Sequence, residues 1–419
     1  MSSPKKVRGK SGKDDKRDDS DSEDLNFLKT LPSSSKKKTS IKQVFEKKVK
    51  SEKVKPSLPN FSRNDYGYLF EEPSESESDE TVWDDNIFFK RDGWNSEDTE
   101  AAGPSSTVSS VLPDIKKIVS EGELDQLAQI RPLTFNFNEQ SATKDCLNML
   151  KKKVQYGIIQ EFMDLELSNL PGEFRSGNEP RNREKNRYRD ILPYDSTLVP
   201  LGKSKGYINA SYIKIVNFEE EYFYIATQGP LPGTTDDFWQ MVLENNSNVI
   251  AMITREIEGG IIKCHHYWPI SLKEPLELKR FRVSLESYQI LKYFIIRIFQ
   301  VVKKSTGASH FVKHLQFTNW PDHGTPASGD YFIKYVRYVR KSHVTGPMVV
   351  HCSAGVGRTG VFICADVVFC AIEKNYSFNI MNIVTQMRKQ RYGMIQTKEQ
   401  YHFCYEIVLQ VLQKLLTLE

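Results

Sequence analysis

Met348-Val349-Val350-His351-Cys352-Ser353-Ala354-Gly355-Val356-Gly357-Arg358-Thr359-Gly360 opens on a short apolar, β-branched run, passes through a loop of small residues, and ends where Thr359 to Ile372 takes up helical spacing. A buried strand leading through a glycine-rich turn into a helix is a unit of α/β proteins. Inside the turn, Arg358 follows Cys352 at six positions. Small residues between them let successive backbone N–H groups turn toward one anion, and the helix N-terminus adds its partial positive charge. The same field, with a cation beside it, favours a thiolate and makes Cys352 a candidate nucleophile. The planar fork of Arg358 can hold two phosphoryl oxygens, which a point-charge lysine could not do. The competing reading is a cysteine packed as a small hydrophobe at a tight turn. We take that reading for Cys146, Cys264, Cys364, Cys370 and Cys404, whereas the arginine, the strand and the helix together single out Cys352.

On either side of this unit, short β-type runs and helical spacings alternate. Strands are expected at Tyr207–Ala210, Tyr222–Ile225, Val249–Ile253, Phe281–Val283 and Tyr293–Val302. Helices are expected over Ala142–Leu167, Asp236–Asn245, Ile380–Arg391 and Lys398–Leu415. The fold class is therefore α/β, one domain with a twisted mixed sheet flanked by helices. Its extent is 141–417, with 121–140 a lead-in segment of undefined structure. The longest apolar stretch, Val361 to Ile372, is interrupted by Asp366 and is shorter than the roughly 18 residues of a membrane span. Six cysteines without a CxxC pair argue against a disulfide scaffold or a zinc ribbon and fit a reducing compartment.

The 419 residues carry a formal net charge of +4, so no global field points to nucleic acid. That average hides a split. Residues 1–60 carry 17 Lys/Arg and 9 Asp/Glu, residues 61–120 carry 5 and 14, and the remaining 299 residues hold 36 and 31. Runs such as Ser34-Ser35-Lys36-Lys37-Lys38 and Glu71 to Glu77 bury too little area to offset chain entropy, so 1–120 reads as a disordered polyampholyte tail. Several tail features are candidates for docking or modification. Pro4 to Lys10 resembles a nuclear localisation signal, Lys36–Lys55 could face an acidic surface, and Ile87-Phe88-Phe89 with Trp83 and Trp94 could fill a partner groove. Ser20–Asp24 and Ser74–Glu80 suit acidic-directed kinases, and Tyr66 and Tyr68, near Glu71 and Glu72, could occupy the chain's own anion-binding loop if phosphorylated.

With His351 to Gly360 as its signature, the stretch from about residue 140 to 417 resembles the tyrosine-specific protein phosphatases, as a non-receptor member. Three further motifs carry the resemblance. Asn319-Trp320-Pro321-Asp322-His323-Gly324-Thr325-Pro326 is similar to the family's acid loop, which implies that Asp322 protonates the leaving tyrosyl oxygen and later deprotonates water. Lys185 to Asp190 resembles the substrate-recognition loop. It implies that the Tyr188 ring sets a cleft depth that only phosphotyrosine spans, and that Asp190 accepts from peptide N–H groups. Gln396-Thr397-Lys398-Glu399-Gln400-Tyr401 implies a water-positioning Gln396 with Gln400 in support.

Weaker matches imply supporting roles for Glu258 and Lys263, which would orient the arginine and meet the closed acid loop, and for His351 and Thr359, which would hydrogen-bond the loop and the Cys352 sulfur. Ser353, Ala354, Gly355, Val356, Gly357 and Arg358 would bind the phosphoryl group. Beside the cleft, Gly393 offers little obstruction and Arg388 is expected to reach a second phosphate or acidic side chain. Leu198 and Gly206 depart from the family's usual arginine and acidic residue, which puts local loop order in question and leaves the catalytic set intact.

The resemblance thus implies hydrolysis of phosphotyrosine in proteins through a cysteinyl-phosphate, in signalling. It calls for no metal or cofactor, takes tyrosine-phosphorylated proteins as partners, and involves no nucleic acid or membrane span, in the cytoplasm or nucleus. The rival readings are a phosphatase of broader specificity, a phosphotyrosine-binding scaffold with a vestigial site, and a cysteine protease using His351 as base.

Overall fold

The computed structural model describes residues 118–132, 134–168 and 172–417. The readings of 1–117 lie outside these residues.

An eight-stranded mixed sheet organises the described residues, in the order β1 (Ala210–Asn217), β2 (Glu220–Thr227), β10 (Met348–His351), β3 (Val249–Met252), β9 (Ser309–Phe317), β8 (Phe294–Lys303), β7 (Phe281–Ile290) and β6 (Leu276–Glu277). β10 runs parallel to β2 and β3 on either side, and β3 is parallel to β9. Every residue of β10 is buried. A strand with parallel neighbours and both faces covered reads as an unbroken apolar run, which Met348-Val349-Val350 is. A separate hairpin, β4 (Ile257–Glu258) with β5 (Ile261–Ile262), stands apart from the main sheet.

Helices cover both faces. Phe238 and Trp239 of α5 (Thr235–Glu244) form one core with Ile250, Phe299 and Val349. The opposite core gathers α6 (Asp330–Ser342), α7 (Gly357–Glu373), α8 (Ile380–Arg388) and α9 (Lys398–Thr417). α7 is buried nearly all round, as a helix without a polar face should be. Its one buried acid, Asp366, accepts from Tyr224 Oη at 2.7 Å and Arg340 Nε at 3.0 Å.

The lead-in segment is more ordered than its sequence suggested. Ser120 caps α1 (Glu121–Ala128), accepting from Glu123 N, and Leu124 is fully buried. Lys341 of α6 pairs with Glu123 at 2.8 Å. The single helix expected over Ala142–Leu167 is two, α2 (Phe137–Tyr156) and α3 (Ile158–Leu167), because Gly157 breaks the run with φ −128° and ψ −16°. An Asn136–Glu139 capping box starts α2 five residues before the apolar periodicity does. A short α4 (Arg175–Asn178) follows α3 before the first strand of the sheet. The expected strand at Tyr207–Ala210 begins only at Ala210 and continues to Asn217. Leu198 bridges Ser211, and Gly206 pairs with Leu201 through N–H to carbonyl bonds of 2.7 and 3.2 Å, so both departures sit in closed turns.

Among the described residues, no helix is long and apolar enough to cross a membrane.

Candidate active site

β2, β10 and β3 run in the same direction, and their C-terminal ends, Thr227, His351 and Met252, meet at one edge of the sheet, where open α/β sheets place their ligands. The loop from Cys352 to Gly357 leaves β10 there and enters α7.

Its carbonyls show how it is folded. The Cys352 oxygen accepts from His351 Nδ1 at 3.1 Å and the Ser353 oxygen from Gly229 N at 2.9 Å. Those of Ala354 and Gly355 accept from the Arg391 guanidinium at 3.1 and 2.9 Å, and that of Val356 from the amides of Gly360 and Ile395. Five consecutive carbonyls are thus held by the surrounding scaffold. In a trans peptide the next residue's N–H points opposite to the carbonyl, so the amides of Ser353, Ala354, Gly355, Val356 and Gly357 turn the other way, forming a nest of donors. Gly355 makes this turn at φ +73°, and a Cβ there would lie 2.1 Å from the Thr227 oxygen, so no other residue fits.

Cys352 is buried, and Thr359 Oγ1 donates to its sulfur at 3.3 Å. Arg358 lies in the first turn of α7. Its Nη1 and Nη2 donate to the two oxygens of Glu258 at 2.6 and 2.9 Å, which fixes the plane of the guanidinium. Burial alone would raise the Glu258 carboxyl, but Arg358, the Arg255 amide and the Thr254 hydroxyl overcome that and hold it below the usual carboxylate range.

Arg358 also lies over the Trp320 ring at 5.4 Å and donates to the Pro321 oxygen at 3.4 Å, tying it to the acid segment. Trp320 is anchored edge-on against Phe332 and Phe403, and its Nε1 donates to the Gly324 oxygen at 3.1 Å. Asp322 stands exposed at the tip, in an ion pair with Arg255.

The remaining expected residues converge from three sides. Tyr188 Oη and Ser353 Oγ share a 2.8 Å hydrogen bond. Asp190 is exposed on the same loop. Gln400 Oε1 accepts from Gln396 N at 2.9 Å, and its amide lies where a Cβ on Gly357 would sit, at 2.8 Å. Lys263 touches the loop through its carbonyl, which accepts from Ser353 Oγ at 3.0 Å.

Arg388 meets an acidic side chain of its own chain, and its guanidinium is not open to a ligand. It is buried, pairs with Glu166 at 2.7 Å, and donates to the carbonyls of Met394 and Ile395 at 3.0 and 2.8 Å. Those two residues lead directly into Gln396, and Ile395 has a left-handed φ of +60°. Arg388 thus holds the glutamine segment in place from behind and does not reach toward a ligand.

His351 is fully buried, and burial lowers its pKa to about 4, so it is neutral. Because its Nδ1 faces a carbonyl, it must carry the proton there, which leaves Nε2 as an acceptor for Tyr267 Oη at 2.8 Å. The Tyr267 oxygen in turn accepts from His314 Nε2 at 2.9 Å, and Arg297 lies 3.5 Å from His314 Nδ1. The chain of donors runs one way, from Arg297 to the Cys352 carbonyl. His351 therefore serves the loop backbone, and both of its nitrogens are committed away from the Cys352 sulfur, contrary to the protease reading.

Sequence reasoning missed Arg391, Tyr267, His314 and Arg187. Arg391 is wholly buried and also binds Asn209 Oδ1 at 2.7 Å and Ser211 Oγ at 3.1 Å. Desolvation pushes its pKa down to about 10. Arg187 donates to the oxygens of Gly229 and Pro230 at 3.1 and 2.7 Å, which fixes the loop carrying Tyr188. The available signals were the segments around Asn209 and Ser211 and around Gly229 and Pro230, which supply many of these partners.

Comparison with known proteins agrees with this arrangement. The protein-tyrosine phosphatase family model matches residues 182–410. The chain is 74% identical over 420 residues to human tyrosine-protein phosphatase non-receptor type 20, covering all of both chains. It is 67% identical over 425 residues to the mouse protein of that name, again over the whole of both. With human tyrosine-protein phosphatase non-receptor type 13 it shares 40% identity over 352 residues, 83% of this chain and 14% of that protein.

Proposed function

Because the chain belongs to the protein-tyrosine phosphatase family, we propose that it hydrolyses phosphotyrosine in proteins by two successive phosphoryl transfers through a cysteinyl-phosphate. The observation that carries this reading is the nest itself, five amides turned to one side around a buried sulfur with an oriented guanidinium beside it.

In the first transfer the Cys352 sulfur attacks phosphorus, the bond to the tyrosyl oxygen breaks, and Asp322 gives its proton to that oxygen. The amides of Ser353 to Gly357 and the Arg358 fork bind the equatorial oxygens, where charge spreads in the transition state. Glu258 supports the reading by fixing the plane of that fork. In the second transfer Gln396 orients a water, Asp322 takes its proton, the oxygen attacks phosphorus, and the sulfur leaves with its electron pair, releasing inorganic phosphate. No step calls for a cofactor. Tyr188, held to the loop through Ser353, forms the wall that excludes the shorter phosphoserine. A nucleophilic sulfur suits a reducing compartment, such as the cytoplasm or nucleus.

The deciding experiment compares a phosphotyrosine peptide with its phosphoserine twin in the presence of a chelator, using the full chain and its Cys352→Ser variant. Expected is turnover of phosphotyrosine alone, and in the variant retained peptide binding with turnover at background. Equal turnover of both peptides would assign the broader specificity. Binding without turnover by the unaltered chain would assign the scaffold.

A further inference from the structure

The hairpin that carries Glu258 has an outer side that the chemistry does not use. Its turn, Gly259-Gly260, takes φ +53° and +75°, left-handed at both central positions, which is the two-residue turn whose twist matches a β-hairpin. Ile257 and Ile262 are directly opposed across the two strands and therefore share one face, while Glu258 points to the other, toward Arg358. Ile257, Ile261 and Ile262 are 58%, 60% and 63% exposed.

Ile257 and Ile262, side by side on the outer face, are an apolar spot with a cost in water, while Ile261 is paired with Glu258 and shares its face. The hairpin that displays them is fixed on several sides. Glu258 holds Arg358, the Lys263 carbonyl accepts from Ser353, the Ile262 carbonyl accepts from Arg187 at 3.4 Å, and a Cβ on Gly259 would lie 3.6 Å from Asp322 Oδ2. The hairpin backbone thus lies between the acid tip and the loop that carries Tyr188, with Ile257 and Ile262 on its outer face.

We propose that this hairpin is a specificity ledge that receives an aliphatic or aromatic side chain flanking the phosphotyrosine of a substrate. The inference rests on the phosphotyrosine reading above. A peptide threaded past Tyr188 with its phosphate in the nest must pass this rim on one side. A flanking apolar residue would there be covered by Ile257 and Ile262, whereas a serine hydroxyl against the same side chains would lose water without gaining a partner.

The test uses the full-length protein and phosphotyrosine peptides in which each flanking position carries leucine, phenylalanine, serine or aspartate. Expected is a kcat/KM roughly 5- to 30-fold higher for leucine or phenylalanine at one flanking position or more, the size of burying part of one apolar side chain. In the Ile257→Thr, Ile262→Thr double variant that preference is lost through KM, while hydrolysis of p-nitrophenyl phosphate, too small to reach the ledge, is unchanged. Turnover of p-nitrophenyl phosphate and of all peptides alike by the unaltered protein would overturn the ledge and leave the phosphotyrosine reading standing. A preference that survives in the double variant would also overturn it. So would a dimer of the unaltered protein that the two substitutions dissolve in the absence of any flank preference, because a second copy would then occupy the face. Failure to hydrolyse any phosphotyrosine would instead count against the reading on which the ledge rests.

Discussion

The floor of the site and its acid tip are built in opposite ways. From Met348 to Gly360 nearly every residue is buried, and each carbonyl of the loop between strand and helix has a donor that holds it. Asp322, by contrast, is exposed and held by a guanidinium that is itself half in water. The difference fits the role proposed for each part. A nest of amides works only when every dipole is aimed in advance, so it is over-determined by packing and hydrogen bonds. A group that gives and takes a proton must meet both the leaving oxygen and water, so it is placed at the surface and held loosely.

The sharpest way to break this contrast is at the tip. Asp322→Asn should lower kcat about 10²- to 10⁴-fold, the usual contribution of one proton donor, and change stability by no more than about 0.5 kcal/mol. Steady-state kinetics with a phosphotyrosine peptide and urea unfolding read the two effects. A large loss of stability would mean that the tip is as deeply built in as the floor.

The floor should give the converse. Arg391→Met removes a buried cation but leaves the carbonyls of Ala354 and Gly355 and the Asn209 amide oxygen without donors. Each buried acceptor left without a donor costs about 1–3 kcal/mol, a loss that the urea midpoint will show. Arg391→Lys should not recover it, because one ammonium cannot span the separate acceptors. Stability within about 1 kcal/mol of the original chain would contradict the over-determined floor.

A smaller and more gradual effect comes from His351. Its folded pKa of about 4 lies below the unfolded value near 6.5, so the unfolded chain binds the proton first and stability falls as pH drops from about 6.5 to 4. Over that window the loss is about 3 kcal/mol. His351→Gln should flatten this slope even though it weakens the chain at pH 7. Urea midpoints taken at intervals between pH 7 and 4 compare the two slopes, and parallel curves would remove His351 as their source.

The sequence exposed the floor more readily than what supports it. Cys352, Arg358 and the glycines between them are spaced by the geometry of one anion, and such local spacing survives in a linear string. Asp322, Tyr188 and Gln396 became candidates only through resemblance, and the fold brings their segments to the same edge. Arg388 and Arg391 could not be read in this way. They sit in Arg388-Lys389-Gln390-Arg391, which looks like a solvated helix end, and nothing local distinguishes the exposed Lys389 from the two buried arginines. Four of their acceptors are backbone carbonyls, which have no sequence identity.

β9 was missed because its buried positions include His314 and Gln316, which break the apolar alternation. The polar side chains are there for partners on other strands and loops, with Tyr267 and Arg297 among them. α6 was missed because aromatic and β-branched residues between its lysines and arginines resemble a strand, although burial of Phe332, Tyr335, Val336 and Val339 follows a helical face.

Asp366 lies eight residues beyond Arg358 on the same helix, about 12 Å along its axis. Around it α7 presents oily side chains in every direction, and such a cylinder could settle at several neighbouring rotations with similar contact area. The carboxylate admits one, because only one azimuth brings it to both Arg340 and Tyr224. Since one residue's slip turns a helix by about 100°, this distant peg also decides whether the guanidinium and the threonine hydroxyl at the other end face the sulfur or the interior.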